Sequence, residues 1–137
     1  MPQGGNMINL GTAPLHLLLI DDDPVFRYTV GALLRRLGHR VEEAESGAAA
    51  LALLGKMPVD LVLTDLRMPG MTGWEVARLT KTLHPSVPVV IVTGCAASLA
   101  ADQPERQYVD AILEKPCGAV QLQAVLSALT AARIATA

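Results

Sequence analysis

The sequence predicts an α/β fold, with one parallel sheet covered by helices on both faces. Three observations predict it. Short apolar runs alternate with helical segments along the whole chain. Two of the runs, Val59–Thr64 and Val87–Val92, are almost continuously apolar, as expected of parallel strands buried on both sides. The chain has 137 residues, of which 51% are hydrophobic and 18% charged, enough for one domain with its own core and no second.

Each element has a local reason. Residues 1–14 are rich in Gly, Asn, Gln and Pro without periodicity, so a flexible leader is expected there. The folded unit is expected over 15–133, with a short tail at 134–137. Leu15–Ile20 is an apolar run ending in acids, and reads as the first strand. Pro24 suits a first helical turn, and Asp23 can cap it. Val25, Val30, Leu33, Leu34 and Leu37 then recur at helical spacing until Gly38 stops the helix. Arg35 and Arg36 fall at its C-terminal end, where cations suit the helix dipole. Arg40–Ala44 reads as a second strand, and Ser46 as the N-cap of a helix over Ala48–Leu54. Pro58 precedes the third strand, Val59–Thr64.

Met68-Pro69-Gly70 is turn chemistry, and Thr72 can cap a helix reaching about Leu83. Trp74, Val76, Leu79 and Leu83 are its expected packing positions. The fourth strand is Val87–Val92. A helix within Ala96–Gln107 is the weakest expectation, because its second half is polar and contains Pro104. Ala111–Leu113 reads as the fifth strand and Val120–Ala132 as the last helix.

Net charge is −2, which argues against broad electrostatic binding to nucleic acid or anionic membrane. The apolar runs are too short to span a bilayer, and no basic stretch opens a secretion signal. His16, His39 and His84 fall on different elements without a nearby Cys, so a zinc site is not expected. Two cysteines without C-x-x-C spacing suit a reduced, cytoplasmic chain with free thiols. Asp60 and Glu75 read as surface acids.

The chemistry gathers at the carboxyl ends of the strands, where open α/β sheets bind their ligands. Strand one ends at Asp21, Asp22 and Asp23, strand three at Asp65, strand four at Thr93, and strand five near Lys115. Clustered carboxylates repel one another, and a hard divalent cation with oxygen ligands is the simplest compensation. Lys115 adds a second positive charge and Thr93 a hydroxyl donor. Such a set suits a transferring phosphoryl group, and a carboxylate can accept one as an acyl phosphate. Asp65 is the best placed nucleophile, standing alone before a turn.

The segments Leu17–Pro24, Asp60–Gly73, Pro88–Gly94 and Lys115-Pro116 together resemble the motif set of response-regulator receiver domains of bacterial two-component systems. Each motif is weak alone; four in order, each at a strand end, are specific. The resemblance implies a flavodoxin-like (βα)5 doubly wound sandwich with a central five-stranded parallel sheet. It implies that Asp65 is the phosphoacceptor. Asp22, Asp65 and the backbone carbonyl of Arg67 would ligate magnesium directly, with Asp21 reaching it through water and manganese able to substitute. Thr93, the backbone amides of Gly94 and Arg67, and Lys115 would bind the phosphoryl group. A cis bond at Lys115-Pro116 is implied too. Implied partners are a histidine kinase or phosphotransfer protein and a downstream protein or effector domain, with no direct contact to nucleic acid or membrane.

The chain departs from that pattern in places. The family usually has an aromatic residue three positions before the lysine, coupled to the threonine as a switch. Here Ile112 stands there, and Tyr108 lies in the preceding loop. Ile112 is expected to stay packed inward, with switching carried by loop and helix shifts. Arg67 and Cys95, two past Asp65 and Thr93, are expected to set the phosphoryl lifetime. A Cys95–Cys117 redox link is disfavoured. Two other functions compete. A hydrolase with an aspartyl-phosphate intermediate needs a further acid two past the nucleophile, where Arg67 stands. A degenerate receiver acting as a phosphorylation-independent binding module is weakened by the complete site.

Overall fold

The computed structural model describes residues 13–94 and 103–136. Its five strands are β1 (His16–Ile20), β2 (Arg40–Ala44), β3 (Leu61–Thr64), β4 (Val89–Thr93) and β5 (Ala111–Glu114). They form one parallel sheet in the order β2-β1-β3-β4-β5. The chain winds outward from β1 to β2, then crosses back to β3 on the other side. The winding therefore reverses between β1 and β3, which opens a crevice at their carboxyl ends. The four α-helices described are α1 (Pro24–Arg36), α2 (Gly47–Leu54), α3 (Gly73–Leu83) and α4 (Ala119–Thr136).

Alternation along the strands divides the core in two. Leu17, Leu19, Leu63, Val90 and Val92 pack against Val30 and Leu34 of α1 and Leu122 and Leu126 of α4. Leu18, Ile20, Val62 and Val89 pack on the other face against Ala50 and Leu54 of α2 and Val76 and Ala77 of α3. Each fully buried leucine or isoleucine contributes about 1.5–3 kcal/mol. This sandwich is the expected fold.

The helix starts follow the sequence signals. Asp23 accepts from the amides of Val25 at 2.9 Å and Phe26 at 3.4 Å. Ser46 accepts from Ala49 N at 3.1 Å. Thr72 and Glu75 form a reciprocal capping box, so Glu75 is a cap partner rather than a plain surface acid. Gly38, at φ 99°, takes the chain out of α1 in a conformation that disfavours other residues.

Several expectations need correction. Val25 is exposed, because at 3.6 residues per turn it lies on the opposite side of α1 from the buried Leu34. On α3 the buried positions are Gly73, Trp74, Val76, Ala77 and Thr80, whereas Leu79 is half-buried and Leu83 exposed. β4 begins at Val89, since Pro88 has no N–H for the ladder. Pro104–Tyr108 is a 3-10 turn, so Tyr108 is not in a loop; residues 96–102 lie outside those described. α4 is longer at both ends than Val120–Ala132. Asp60 is half-buried and accepts from His16 N at 2.8 Å, satisfying the first amide of β1. Asp110 does the same for Val89 N at 2.8 Å while pairing with Lys81 of α3 at 2.7 Å. His39 is buried, accepting from Leu15 N at its Nδ1 and donating from Nε2 to Gln123 of α4. Among the described residues, no helix is long and apolar enough to cross a membrane.

Candidate functional site

The register of the central strands builds the site. Ile20 pairs with Thr64, so the next residues, Asp21 and Asp65, leave the sheet side by side. Asp21 N still donates to Ala44 O at 3.1 Å and Asp65 N to Ile20 O at 2.9 Å, which continues the ladder under both acids. On the other side, Thr93 pairs with Glu114, and Lys115 N donates to Thr93 O at 2.9 Å. The Lys115–Pro116 bond is cis, as the motif implied.

Carboxylate oxygens of Asp21, Asp22 and Asp65 lie within 4.8 Å of one another. Asp21 is buried, Asp22 exposed and Asp65 in between. Lys115 reaches across two strands: its Nζ is 2.8 Å from Asp21 Oδ2 and 3.6 Å from Asp65 Oδ1. Asp21 is further held by Asp23 N, which donates to its Oδ1 at 2.9 Å. Arg27 donates to the Asp21 carbonyl at 2.7 Å and pairs with Glu43 of β2.

Burial and the neighbouring Asp21 charge push the Asp65 carboxyl above the ordinary aspartate value, with Lys115 and the Leu66 amide pulling back. Burial alone would lower Lys115. Its hydrogen bond to Asp21 and the two carboxylate charges outweigh that and hold it above the ordinary lysine value. The lysine is therefore an ammonium at neutral pH. Three convergent carboxylates fit a hard divalent cation, and Asp22 on the exposed side offers an entry path.

The loop after Asp65 is fixed from below. Gly73 N donates to Leu66 O at 2.8 Å. A Cβ on Gly73 would stand 3.0 Å from Leu66 Cα and closer still to Asp65 O, so only glycine lets α3 approach the loop. Asp65 Oδ1 accepts from Leu66 N at 2.8 Å.

The sequence-derived residues divide clearly. Asp21, Asp22, Asp65 and Lys115 are brought together. Thr93 is buried at the end of β4, on the same edge, and Gly94 follows it exposed. Arg67 is exposed on the loop after Asp65. Ile112 is half-buried, packed against the cluster of Leu66, Trp74 and Ile91. Tyr108 packs on the neighbouring cluster of that same sheet face, with Val62, Val76 and Val89. Cys95 lies outside the described residues; Cys117 is a half-buried free thiol, raised by burial with Lys115 opposing. Sequence reasoning missed Arg27 and Phe26. Arg27 stands one helical turn past the Asp23 cap, and Phe26, the chain's one phenylalanine, three residues past it. The Phe26 ring centroid is 4.0 Å from Lys115 Nζ.

The model of the response regulator receiver domain matches residues 17–127. The chain belongs to that family. Among similar proteins, the receiver is 42% identical over 99 residues to a gliding motility regulatory protein of Myxococcus xanthus, covering 71% of this chain and 12% of that one. It is 40% identical over 103 residues to the transcriptional regulatory protein GlrR of Escherichia coli, covering 75% of this chain and 23% of that one. The receiver thus spans less than a quarter of the length of either relative. A solved receiver domain of a sensor histidine kinase from Pseudomonas aeruginosa, with magnesium coordinated in its active-site cleft, is 27% identical. It superposes with a TM-score of 0.78, covering 85% of this chain and 98% of that one. A receiver domain protein from Clostridium thermocellum gives 25% identity and a TM-score of 0.82, covering 90% and 99%. The family's role is phosphorelay signalling.

Proposed function

We propose that this receiver, over residues 15–133, accepts a phosphoryl group on Asp65 from a phosphohistidine of a histidine kinase or phosphotransfer protein. A downstream protein or effector domain then reads the changed surface. The observation that carries this is the shared environment of Asp65: Lys115 at 3.6 Å on one side and two further carboxylates within 4.8 Å.

Asp21, Asp22 and Asp65, with the Arg67 carbonyl, would hold magnesium, and manganese would substitute because it shares the preference for oxygen donors. When bound, the ion neutralises charge on the carboxylates and on the incoming phosphoryl oxygens. The protein groups do the rest. Asp65 Oδ1 is engaged by the Leu66 amide and faces Lys115, which leaves Oδ2 to attack phosphorus. The O–P bond forms as the N–P bond of phosphohistidine breaks. The N–P electron pair returns to an imidazole whose other nitrogen carries the proton. Lys115 donates to a phosphoryl oxygen, and Thr93 and the Gly94 amide supply further donors. Ile112 stays packed, so the switch works through loop and helix shifts around Thr93. Arg67 and Cys95 set the lifetime of the acyl phosphate through water access. The chain is a phosphoacceptor rather than a turnover enzyme, and it acts in the cytoplasm, where its histidine kinase donor would present phosphohistidine.

Incubation with acetyl phosphate and magnesium, followed by intact mass, tests the assignment. One added phosphoryl group is expected in the native chain and none in Asp65→Asn. Uptake that persists in Asp65→Asn would remove Asp65 from its role. A native chain that takes up none would restore the reading as a phosphorylation-independent binding module.

A further inference from the structure

We infer that Phe26 is a positioning residue that holds the Lys115 ammonium over the acid cluster, an inference that rests on the phosphoacceptor reading of the site. Lys115 ends a flexible four-carbon stem with three rotatable donors, so its place must be imposed by its surroundings. Two of its neighbours are acids, at 2.8 Å (Asp21) and 3.6 Å (Asp65). Among the described residues, the Phe26 ring is a further neighbour, with its centroid 4.0 Å from Nζ. An ammonium over a ring face is attracted by the ring quadrupole. The ring also takes a side of the ammonium that water would otherwise hold, which strengthens its pull on the carboxylates.

Phe26 is itself fixed. It is the third residue of α1, and Asp23 caps that first turn by accepting from the Val25 and Phe26 amides. Its ring is half-buried against the core formed by β1, α1 and α4. The three consecutive aspartates therefore divide the work. Asp21 takes the lysine, Asp22 faces outward in the cluster, and Asp23 sets the helix turn that carries the ring. A leucine at 26 would keep apolar bulk and lose the π face.

The test compares Phe26→Leu and Phe26→Trp in the full chain, each with Lys115 and with Lys115→Met. The rate of mass gain from acetyl phosphate and magnesium is read first. Phe26→Leu is expected to slow uptake about three- to tenfold, and Phe26→Trp to recover most of that loss. With Lys115→Met, Phe26→Leu is expected to change the residual rate by less than about twofold. Equal slowing in both backgrounds, or none in either, would overturn the inference. The second readout is the NMR shift of the Lys115 Cε protons, without donor or metal. They should lie upfield in the native chain and in Phe26→Trp, and return to ordinary lysine values in Phe26→Leu. Ordinary values in the native chain would overturn the inference even if phosphoryl uptake is normal. If the native chain takes up no phosphoryl group, the phosphoacceptor reading fails, and the proton shifts alone decide whether Phe26 holds Lys115.

Discussion

At the scale of single residues, Asp65 is held in conflict. Burial and Asp21 favour its protonated form, and Lys115 only partly offsets them. A carboxyl raised above its unfolded value supports the fold while protonated, below about pH 3.8. That support is lost as pH climbs through the folded value, so at neutral pH the ionised group is a net burden on the metal-free fold. Asp65→Asn is therefore expected to raise the melting temperature at pH 7 without divalent metal. The gain should be a few degrees, on the order of 1 kcal/mol. It should vanish below about pH 3.8, where the native residue is neutral too. A lower melting temperature at pH 7 would show that Lys115 outweighs the repulsion. Much of this site was legible in the chain alone. Asp21, Asp65 and Lys115 each end a predicted strand, and parallel strands deliver their ends to one edge. Phe26 and Arg27 were not legible, because their roles depend on how far side chains reach from α1 across that edge. Asp60 was misread for a similar reason: nothing local reveals that the first amide of the neighbouring strand needs an acceptor.

At the scale of elements, α3 approaches the Asp65 loop closely enough to leave no room for a Cβ at Gly73. Gly73→Ala would drive a methyl into the backbone of Asp65 and Leu66. We expect a loss of about 1–3 kcal/mol, as for other forced overpacking. It should appear as a lower urea midpoint at unchanged slope. An unchanged midpoint would mean that α3 can back away freely. Helix starts were readable because capping is written in adjacent residues, as in Ser46, Thr72 and Glu75. The stretch before β5 was less readable. Pro104 and the polar residues after it support a single tight turn, and the choice between 3-10 and α geometry depends on how Tyr108 and Val109 dock against the core. Leu83 fits the helical period of α3 and still faces solvent, since period alone cannot say where a covering neighbour stops.

For the molecule as a whole, the parallel sheet was legible in the alternation of elements, whereas its doubly wound form was implied only by the resemblance to receivers; the observed order β2-β1-β3-β4-β5 is what makes one edge chemically crowded. A cation that binds only the folded cluster stabilises the entire domain through mass action, by about 2.7 kcal/mol at a hundred times its dissociation constant. Magnesium is therefore expected to raise the melting temperature of the native chain in a concentration-dependent way. The effect should be much smaller in Asp22→Ala. Equal shifts in both would point to non-specific ion effects.

The hydrogen bond from Lys115 to Asp21 joins residues 94 apart in sequence. A ribosome delivers the acids early and their counter-charge late. Until the fifth strand docks, a nascent chain carries carboxylates with no ammonium among them. The charge balance of the cluster is thus completed only when the fifth strand brings Lys115 to it.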